Sequence, residues 1–371
     1  EYRDTHNWIF MLLPVAGVLI VFMYEKIGRQ DGGTNQVLAT IKSKDDVPFL
    51  SAPLIFVSTL LTHLTGGSAG REGASIQFGG SIGNWLGKLA HLDEFDHHVM
   101  IMCGMSAAFA AVFGTPMAAA VFAMEVVSVG VMYYAALLPC VIASIIAAEF
   151  ATGMGIDPET FPVHSIPGLT VETGLKMALI AVGCGILSIL FCILLKTVGQ
   201  LYTKYLKNPY IRIVVAAGVI ILLTICLNTK DYMGAGSGLI ARAIEKGEAR
   251  PLDFLWKMLL TALTMRAGYR GGEIVPAFSI GATFGCVAGG ILGFSPELAA
   301  AASMVALFCG VTNCPITAML ISFELFGFSG AAYYLIAISI SYAVSGYYSL
   351  YKDQTIVYSK YKARYINRKT R

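Results

Sequence analysis

Long apolar stretches dominate the chain, and its charged residues are concentrated between them. A helix that crosses a bilayer needs about 20 predominantly apolar residues. The pattern therefore predicts membrane-spanning segments at residues 8–24, 47–64, 132–149, 171–195, 211–227, 255–265, 298–309 and 331–350. Glycine or proline within or beside some apolar tracts predicts half-helices or re-entrant segments, at residues 99–113, at 255–265 and after Glu273.

Composition supports the same interpretation. Of the 371 residues, 56% are hydrophobic and 13% are charged, whereas about 25% of the residues in a soluble domain are charged. The chain is therefore predicted to be an all-α, multi-pass membrane protein in contact with the lipid bilayer. Its net charge of +3 identifies no partner, and it contains no nucleic-acid-binding motif. Basic residues at 360–371 predict a cytoplasmic C-terminus, with residues 351–371 forming a C-terminal helix and a basic tail.

The eight cysteines lie almost entirely within apolar stretches and show neither a CxxC motif nor a Cys/His ligand spacing. We interpret them as reduced packing residues. The sequence therefore predicts neither a metal site nor a cofactor.

Two segments of the first half of the chain recur in the second half. Residues 113–126 (FGTPMAAAVFAMEV) are similar to 310–325 (GVTNCPITAMLISFEL), with Glu125 matching Glu324 at an offset of 199. The tract GREGASIQFGGSIG at 70–83 is similar to GGEIVPAFSIGATFG at 271–285, which aligns Glu72 with Glu273 at an offset of 201. Transporters are often built from inverted halves with the substrate site between them. The repeat therefore predicts two inverted-repeat halves, residues 1–165 and 166–350.

Each repeated segment leads from an irregular, Gly- or Pro-marked stretch into a helix. The first turn of a helix has unpaired N–H groups and a partial positive charge, and glycine lets an ion approach the backbone closely. Within a bilayer such helix starts must line a cavity or be buried in protein. They predict a site for a small anion. A carboxylate such as Glu72 can occupy this site itself, and once neutralised it can leave the site and carry a proton.

Four segments, in this order, resemble the CLC family of chloride channels and anion/proton antiporters. They are GREGASIQFGGSIG at 70–83, GTPMAAAVFAMEV at 114–126, GGEIVPAFSIGATFG at 271–285 and QTIVYSKY at 354–361. The resemblance extends from about Asp31 to Tyr358. It implies a CLC-like inverted repeat of tilted, broken and re-entrant helices, and a homodimer with one anion pathway in each subunit. It also implies that Glu72 is the gating glutamate and proton carrier, and that Tyr358 lines the anion site.

Where this sequence departs from the usual family pattern, it resembles the bacterial fluoride/proton antiporter branch of the family. DGGTNQV at 31–37 lacks the serine of the usual anion loop, Val126 replaces a proton-relay glutamate, and Glu273 stands in the selectivity segment. TNCP at 312–315 and ELFG at 324–327 are also similar to that branch. Two features differ from it: Ser279 follows Phe278 in place of a second phenylalanine, and Ala74 replaces a more common proline.

The resemblance implies export of fluoride from a bacterial cytoplasm across the inner membrane in exchange for protons, with chloride as the competing substrate. Fluoride is strongly hydrated, so its pathway must offer good hydrogen-bond donors before water is removed. The expected donors are the hydroxyls of Tyr358 and Thr34 and the backbone N–H groups at Gly32, Gly33, Asn35, Gly73, Phe278 and Ser279. The ring edge of Phe278 is expected to contribute weakly, because it carries a partial positive charge.

Structural roles are the alternatives for the acidic residues. Glu72 could pair with Arg71 instead of acting as a gate. Glu273 is expected either to support proton coupling or to serve as a helix N-cap or as an ion-pair partner of Arg270. Glu125 and Glu324 lie at predicted helix ends, and we expect structural roles for both.

Other functions are compatible with parts of the sequence. A chloride/proton antiporter and a passive chloride or fluoride channel would use the same fold. An intramembrane serine hydrolase is a remote alternative, because GGSAG at 66–70 satisfies the G-x-S-x-G pattern. It is disfavoured because His63 lies only five residues before Ser68 and the strand expected before such a serine is absent.

Overall fold

The computed structural model describes residues 8–27, 32–42, 47–362 and 364–371. Asp31, the first residue of the predicted anion loop, lies outside this part of the chain. Short 3₁₀ helices occur at Ile9–Leu12 and Tyr134–Ala136. The α-helices are α1 Leu13–Lys26, α2 Thr34–Thr40, α3 Ser51–Leu64, α4 Glu72–Leu89, α5 Glu94–Phe113, α6 Pro116–Glu125, α7 Leu137–Gly153, α8 Val171–Tyr205, α9 Pro209–Cys226, α10 Ser237–Glu245, α11 Asp253–Ala267, α12 Ile274–Ile291, α13 Pro296–Thr312, α14 Pro315–Phe326 and α15 Ala331–Val344.

The helices repeat in order, which confirms the predicted all-α, inverted-repeat fold. Each helix from α1 to α7 has a counterpart about 200 residues later, pairing α1 with α9, α2 with α10, α3 with α11, α4 with α12, α5 with α13, α6 with α14 and α7 with α15. The long helix α8 precedes the second set. Helix α13 is buried from Leu298 to Thr312 and lies at the centre of the larger hydrophobic core.

Reciprocal contacts join the two halves. The Glu125 carboxylate, at the end of α6, accepts hydrogen bonds from the N–H groups of Ile316 and Thr317 at the start of α14, at 3.0 and 2.8 Å. The Glu324 carboxylate in α14 accepts bonds from Met117 N–H and Ala118 N–H at the start of α6, both at 2.9 Å. Each glutamate therefore satisfies first-turn N–H groups of the other helix, as expected for a structural role.

A backbone bridge sets the register between the halves. Gly70 N–H donates to the Gly272 carbonyl at 2.7 Å, and Gly272 N–H donates to the Gly70 carbonyl at 2.6 Å. Since α4 and α12 each begin two residues after the bridged glycine, Glu72 is equivalent to Ile274, and Glu273 is equivalent to Arg71. The predicted alignment of Glu72 with Glu273 is therefore wrong by one residue.

Six helices within the described ranges are long and apolar enough to cross a membrane, and they include α5 and α12. Each of these two is one continuous helix, so the predicted breaks within residues 99–113 and in the tract after Glu273 are wrong. Pro276 lies in the first turn of α12, where its missing N–H would have had no intrahelical partner. Gly104 packs α5 against α4 without breaking it, since a Cβ at Gly104 would collide with the Gly79 carbonyl. Other predicted spans fall in apolar helices of 14 to 17 residues, such as α3, α13 and α15.

The C-terminal segment contains strands where a helix was predicted. Strand β2 (Thr355–Tyr358) pairs in parallel with β1 (Ser128–Val129) and antiparallel with β3 (Tyr365–Lys369). The prediction of a helix within residues 351–371 is therefore wrong. The sequence TIVY of β2 consists of β-branched and aromatic residues, which favour strands, and β1 supplies the neighbouring edge.

A buried amide network fixes the start of this segment. Asn313 ends α13 in a left-handed conformation with φ of 60°. Its side-chain amide donates to the Tyr348 carbonyl at 3.0 Å and to Gln354 Oε1 at 2.9 Å. Gln354 Nε2 in turn donates to the carbonyls of Val126 and Thr312. The chain between residues 348 and 354 is thereby attached to both halves.

Candidate functional site

The starts of α4 and α12 meet the short helix α2 at the interface of the two halves. Thr34 Oγ1 donates a hydrogen bond to the Gly73 carbonyl at 3.0 Å. A Cβ on Gly73 would lie 3.0 Å from Gly272 Cα and 3.3 Å from the Gly271 carbonyl oxygen. This close approach of two backbones requires glycine. The positive ends of α4 and α12 are thereby brought to one place.

The Glu72 carboxylate lies in a cradle of backbone N–H groups at this place. Glu72 is 1% exposed. Its Oε1 accepts a hydrogen bond from Arg71 N–H at 2.9 Å, and its Oε2 accepts one from Val275 N–H at 3.3 Å. A Cβ on Gly70 would overlap Oε2, and one on Gly272 would lie 3.2 Å from it. The Glu72 carboxylate of the first half therefore accepts a hydrogen bond from a backbone N–H of the second half. It fits there because Gly70 and Gly272 have no side chains.

The Arg71 side chain points away from this carboxylate. It is 54% exposed, and its Nη2 lies 3.1 Å from Oε1 of Glu159. Arg71 holds Glu72 through its backbone N–H alone in the interactions we observe. The alternative of an ion pair between the Arg71 and Glu72 side chains is therefore wrong.

A polar cavity of about 150 Å³ lies beside the starts of α2 and α12 and is also lined by Gln77 of α4, and we call it the inner cavity. Since one water molecule occupies about 30 Å³ of liquid, the inner cavity has room for a small anion with a few waters. Its lining is mostly polar and includes Gly32, Gly33, Thr34, Asn35, Gln77, Arg266, Arg270, Glu273 and Tyr351. The structure thus brings together five of the predicted residues: Gly32, Gly33, Thr34, Asn35 and Glu273.

Glu273 stands at the N-cap position of α12 but forms no capping hydrogen bond with its side chain. Its Oε1 lies 3.6 Å from Nη2 of Arg266, and the Glu273 side chain is 21% exposed. The predicted alternative partner, Arg270, instead places its guanidinium 3.8 Å from the centre of the Tyr24 ring. The alternative of a Glu273–Arg270 ion pair is therefore wrong, because Arg266 in the last turn of α11 lies beside the carboxylate instead.

Tyr358, predicted to line the anion site, lies elsewhere. It is 47% exposed on strand β2, and its ring packs edge-on against Tyr365. Tyr351 lines the inner cavity instead, is 4% exposed and lies within electrostatic range of Glu72 and Glu273. The prediction that Tyr358 lines this site is therefore wrong for the inner cavity, where Tyr351 takes that position. Its position directly after the last apolar run is the signal that identifies Tyr351 in the sequence.

The predicted backbone donors at Phe278 and Ser279 are also corrected. Both residues lie beyond the first turn of α12, where the helix already uses its N–H groups, as the bond from Ala277 N–H to the Glu273 carbonyl shows. The first-turn donors are those of Ile274 and Val275, since Pro276 has none. The Ser279 hydroxyl donates to the carbonyls of Ala235 and Gly236 at 3.2 and 3.0 Å, in the turn before α10.

Phe278 belongs to a buried group of aromatic rings. It is 1% exposed, and its ring centre lies 5.9 Å from that of Phe113 and 5.2 Å from that of Phe308. The ring planes of Phe278 and Phe113 are inclined at 74°, an edge-to-face arrangement. Phe113 and Phe308 therefore supply aromatic rings from α5 and α13 beside Phe278.

Ser68 has the surroundings of a structural hydroxyl. It is 1% exposed, and its Oγ lies 3.0 Å from both Thr261 Oγ1 and Lys257 Nζ. Lys257 Nζ also donates to the carbonyls of Tyr232 and Gly234. A hydrolase substrate would not reach such a buried serine.

Comparisons with known proteins agree with this architecture. The family model for voltage gated chloride channels matches residues 16–346. The chain is 33% identical to the chloride/fluoride channel protein of Pseudomonas syringae pv. tomato, over 97% of this chain and 81% of that protein. It is similar to a crystal structure of a CLC-type fluoride/proton antiporter, with a TM-score of 0.90 and 32% identity over 95% of this chain and 90% of that one.

A more distant solved structure has the same fold. A slow cyanobacterial Cl⁻/H⁺ antiporter matches with a TM-score of 0.78 and 17% identity, over 91% of this chain and 83% of that one.

Proposed function

Because the chain belongs to the voltage gated chloride channel family, we propose that this membrane protein is a secondary active transporter that exports fluoride in exchange for protons. The observation that carries the proposal is the Glu72 carboxylate bound to Val275 N–H across the interface of the two halves. Relatives described as a chloride/fluoride channel protein and a fluoride/proton antiporter support the choice of substrate.

Coupling arises from competition for one set of donors. Ionised Glu72 accepts hydrogen bonds from Arg71 N–H and Val275 N–H, so an anion gains these N–H groups only when the carboxylate leaves. Protonation removes the negative charge and weakens the hold of the N–H groups on the side chain. Glu72 then moves away with its proton as fluoride enters. The backbone donors do not titrate, so this carboxyl is the group that links the two fluxes.

The inner cavity holds the anion on the other side of this gate. Tyr351 offers its hydroxyl group and Asn35 its backbone N–H, whereas the Thr34 hydroxyl already donates to the Gly73 carbonyl and the Gly32 N–H to Gln36 Oε1. Fluoride is a strong hydrogen-bond acceptor, so short contacts to these donors replace part of its hydration shell. Gly73, in the first turn of α4, adds a backbone donor at the gate.

In this proposal Glu273 exchanges a proton with the inner cavity, and its position in the cavity lining supports that role. Its ion pair with Arg266 keeps the carboxyl oriented at the start of α12. The edges of the Phe278 and Phe113 rings contribute a weakly positive, water-excluding wall.

The same proposal includes location and assembly. The protein is a homodimer of the bacterial inner membrane, with one pathway in each subunit. The basic residues between Lys360 and Arg371 support a cytoplasmic C-terminus. Residues 1–165 and 166–350 form the two halves, and residues 351–371 form the tail that positions Tyr351.

Reconstitution in liposomes tests the proposal. With an outward fluoride gradient, the wild-type protein should move protons inward in a fixed ratio to fluoride, and chloride should be transported more slowly. Glu72→Gln should reduce proton movement by about 100-fold or more, because it removes the titrating group, and Glu273→Gln should reduce it less. Glu159→Gln is the matched control, since Glu159 contacts the Arg71 side chain and not the cradle.

Each alternative gives a distinct result in the same assay. Fluoride flux without proton movement in the wild type would identify a passive channel. Faster proton-coupled chloride flux would identify a chloride/proton antiporter. Uphill transport by Glu72→Gln at the wild-type rate would contradict the gating role.

A further inference from the structure

We propose that a basic pocket next to the inner cavity binds a phosphate group, supplied by an anionic lipid headgroup or by free phosphate. The basic pocket is a cavity of about 490 Å³ between the last turns of α8, the first turn of α9, the end of α11 and the C-terminal segment. The basic pocket is distinct from the inner cavity, although Arg266 and Leu350 line both.

Charge is the first argument for an anionic ligand. Five basic side chains line the pocket: Lys196, Arg212, Arg266, Lys352 and Arg371. None of the described residues that line it has a carboxylate side chain. Guanidinium groups match the geometry of phosphate oxygens, and lysines add point charges. Basic pockets between transmembrane helices are known sites for phosphate-bearing headgroups.

Unused hydrogen-bonding capacity is the second argument. The Nε of Arg266 is buried and has no hydrogen-bond partner among the described residues, although its Nη2 faces Glu273. Arg212 donates through Nε to the Ala267 carbonyl at 3.0 Å, which fixes its guanidinium at the pocket wall. Because the Arg266 side chain as a whole is 25% exposed, a small rotation would bring this unpartnered donor to a phosphate oxygen.

Size and location favour a lipid headgroup over a halide. The pocket is about three times the volume of the inner cavity, which is too large to hold a single fluoride by direct contacts. Its wall includes Ile193 on α8, and the same helix exposes Leu190, Ile193 and Leu201, each 41–48% exposed. An acyl chain can lie along this apolar surface while its phosphate enters the basic pocket.

Arg266 connects the pocket with the transport site. It lines both the basic pocket and the inner cavity and pairs with Glu273. A phosphate bound to Arg266 would compete with Glu273 for the guanidinium and change the environment of that carboxyl. This regulatory consequence rests on the proposed function, whereas binding itself does not.

Binding is tested with purified protein in neutral detergent micelles. The thermal unfolding midpoint is measured while phosphatidylglycerol, phosphatidylcholine or inorganic phosphate is added separately. Phosphatidylglycerol should raise the midpoint in a saturable manner, because a ligand that binds the folded state stabilises it. Phosphatidylcholine, whose headgroup has no net charge, is the reference for general lipid effects.

The inference is tested most directly by replacing Lys196 and Lys352, two exposed lysines that line the basic pocket. Lys196→Gln combined with Lys352→Gln should raise the half-saturating phosphatidylglycerol concentration on the order of 30-fold, as expected for two lost lysine–phosphate contacts. Lys26→Gln is the matched control, since Lys26 is exposed at the end of α1 and does not line the pocket. The control should respond as the wild type does.

The outcomes separate the sources of phosphate and the two proposals. A response to phosphatidylglycerol alone assigns the site to a lipid headgroup, and an equal response to inorganic phosphate assigns it to free phosphate. No response beyond that to phosphatidylcholine, or an unchanged response in the double variant, overturns the inference. Fluoride and proton fluxes in phosphatidylcholine liposomes report separately on the proposed function, and the double variant should retain them.

Discussion

The starts of α4 and α12 have the same backbone and different chemistry. Each begins two residues after a bridged glycine, Gly70 or Gly272. In α4 the N-cap is Arg71 and the first helical residue is Glu72, whereas α12 has Glu273 at the N-cap and Ile274 in the first position. Both helix starts thus present backbone N–H donors, but only the first half supplies the carboxylate, that of Glu72, which binds them.

This difference gives a symmetric fold a directional site. Glu72 reaches across the interface to Val275 N–H, while its structural counterpart Ile274 is a buried apolar side chain that accepts no hydrogen bond. Two equivalent carboxylates at one small site would repel each other. One carboxylate over two helix starts can alternate with one anion. The substitutions below test whether the asymmetry of side chains, rather than the shared backbone, produces coupling.

Gly70→Ala should have the largest effect. Its Cβ would take the space of Glu72 Oε2 and lie 3.0 Å from Pro276 Cδ, so the carboxylate would lose its closed position. We expect fluoride to leak without protons, with the number of protons moved per fluoride falling by about 100-fold. Simultaneous fluoride-electrode and pH recordings from liposomes measure this ratio.

Two other glycines sharpen this result. Gly290→Ala on α12 is the control, because nothing lies within 4 Å of a Cβ there. Gly272→Ala would place its Cβ against Gly73 N and should impair folding more than gating. If Gly70→Ala retained wild-type coupling, the cradle would not be the gate.

The sequence predicted the position of Glu72 at a glycine-lined helix start, but it misplaced other residues of the candidate site, for physical reasons. Glu72 and Gly73 are local features of a helix start, which short-range patterns describe. Tyr351 depends on the amide contacts of Asn313 and Gln354 and on a β-bridge between distant segments, and neither is encoded locally. The one-residue register between Glu72 and Glu273 is likewise fixed by a long-range backbone bridge.

Tyr351→Phe should have the next largest effect, and it tests whether the asymmetry extends to the C-terminal segment. Removing one hydroxyl donor to a charged ligand should raise the half-saturating fluoride concentration about tenfold. Tyr358→Phe should leave it unchanged, because Tyr358 is half-exposed on strand β2. Initial efflux rates over a range of fluoride concentrations give both values, and a larger effect at Tyr358 would refute the corrected assignment.

Glu125 and Glu324 provide a comparison in which each half contributes a glutamate that accepts hydrogen bonds from a helix start of the other half. Glu125→Ala removes three hydrogen bonds, two of them buried and one of these from the Thr317 hydroxyl, and should lower the free energy of unfolding by about 3 kcal/mol. Glu324→Ala removes two hydrogen bonds in a more exposed setting and should cost about half as much. Unfolding midpoints measure the loss, and the proton-to-fluoride ratio of the remaining folded protein should not change.

Arg71→Gln should have the smallest effect, although Arg71 is the backbone counterpart of Glu273. Its side chain is 54% exposed and its partner Glu159 is 31% exposed, and ion pairs in such settings contribute about 0.5 kcal/mol or less. The backbone N–H that holds Glu72 remains in the variant, so coupling should persist. Arg266→Gln is the contrasting variant, because it removes the partner of Glu273 beside the inner cavity. A loss of coupling in Arg71→Gln as large as that in Arg266→Gln would mean that the guanidinium of Arg71, and not its amide, stabilises the closed gate.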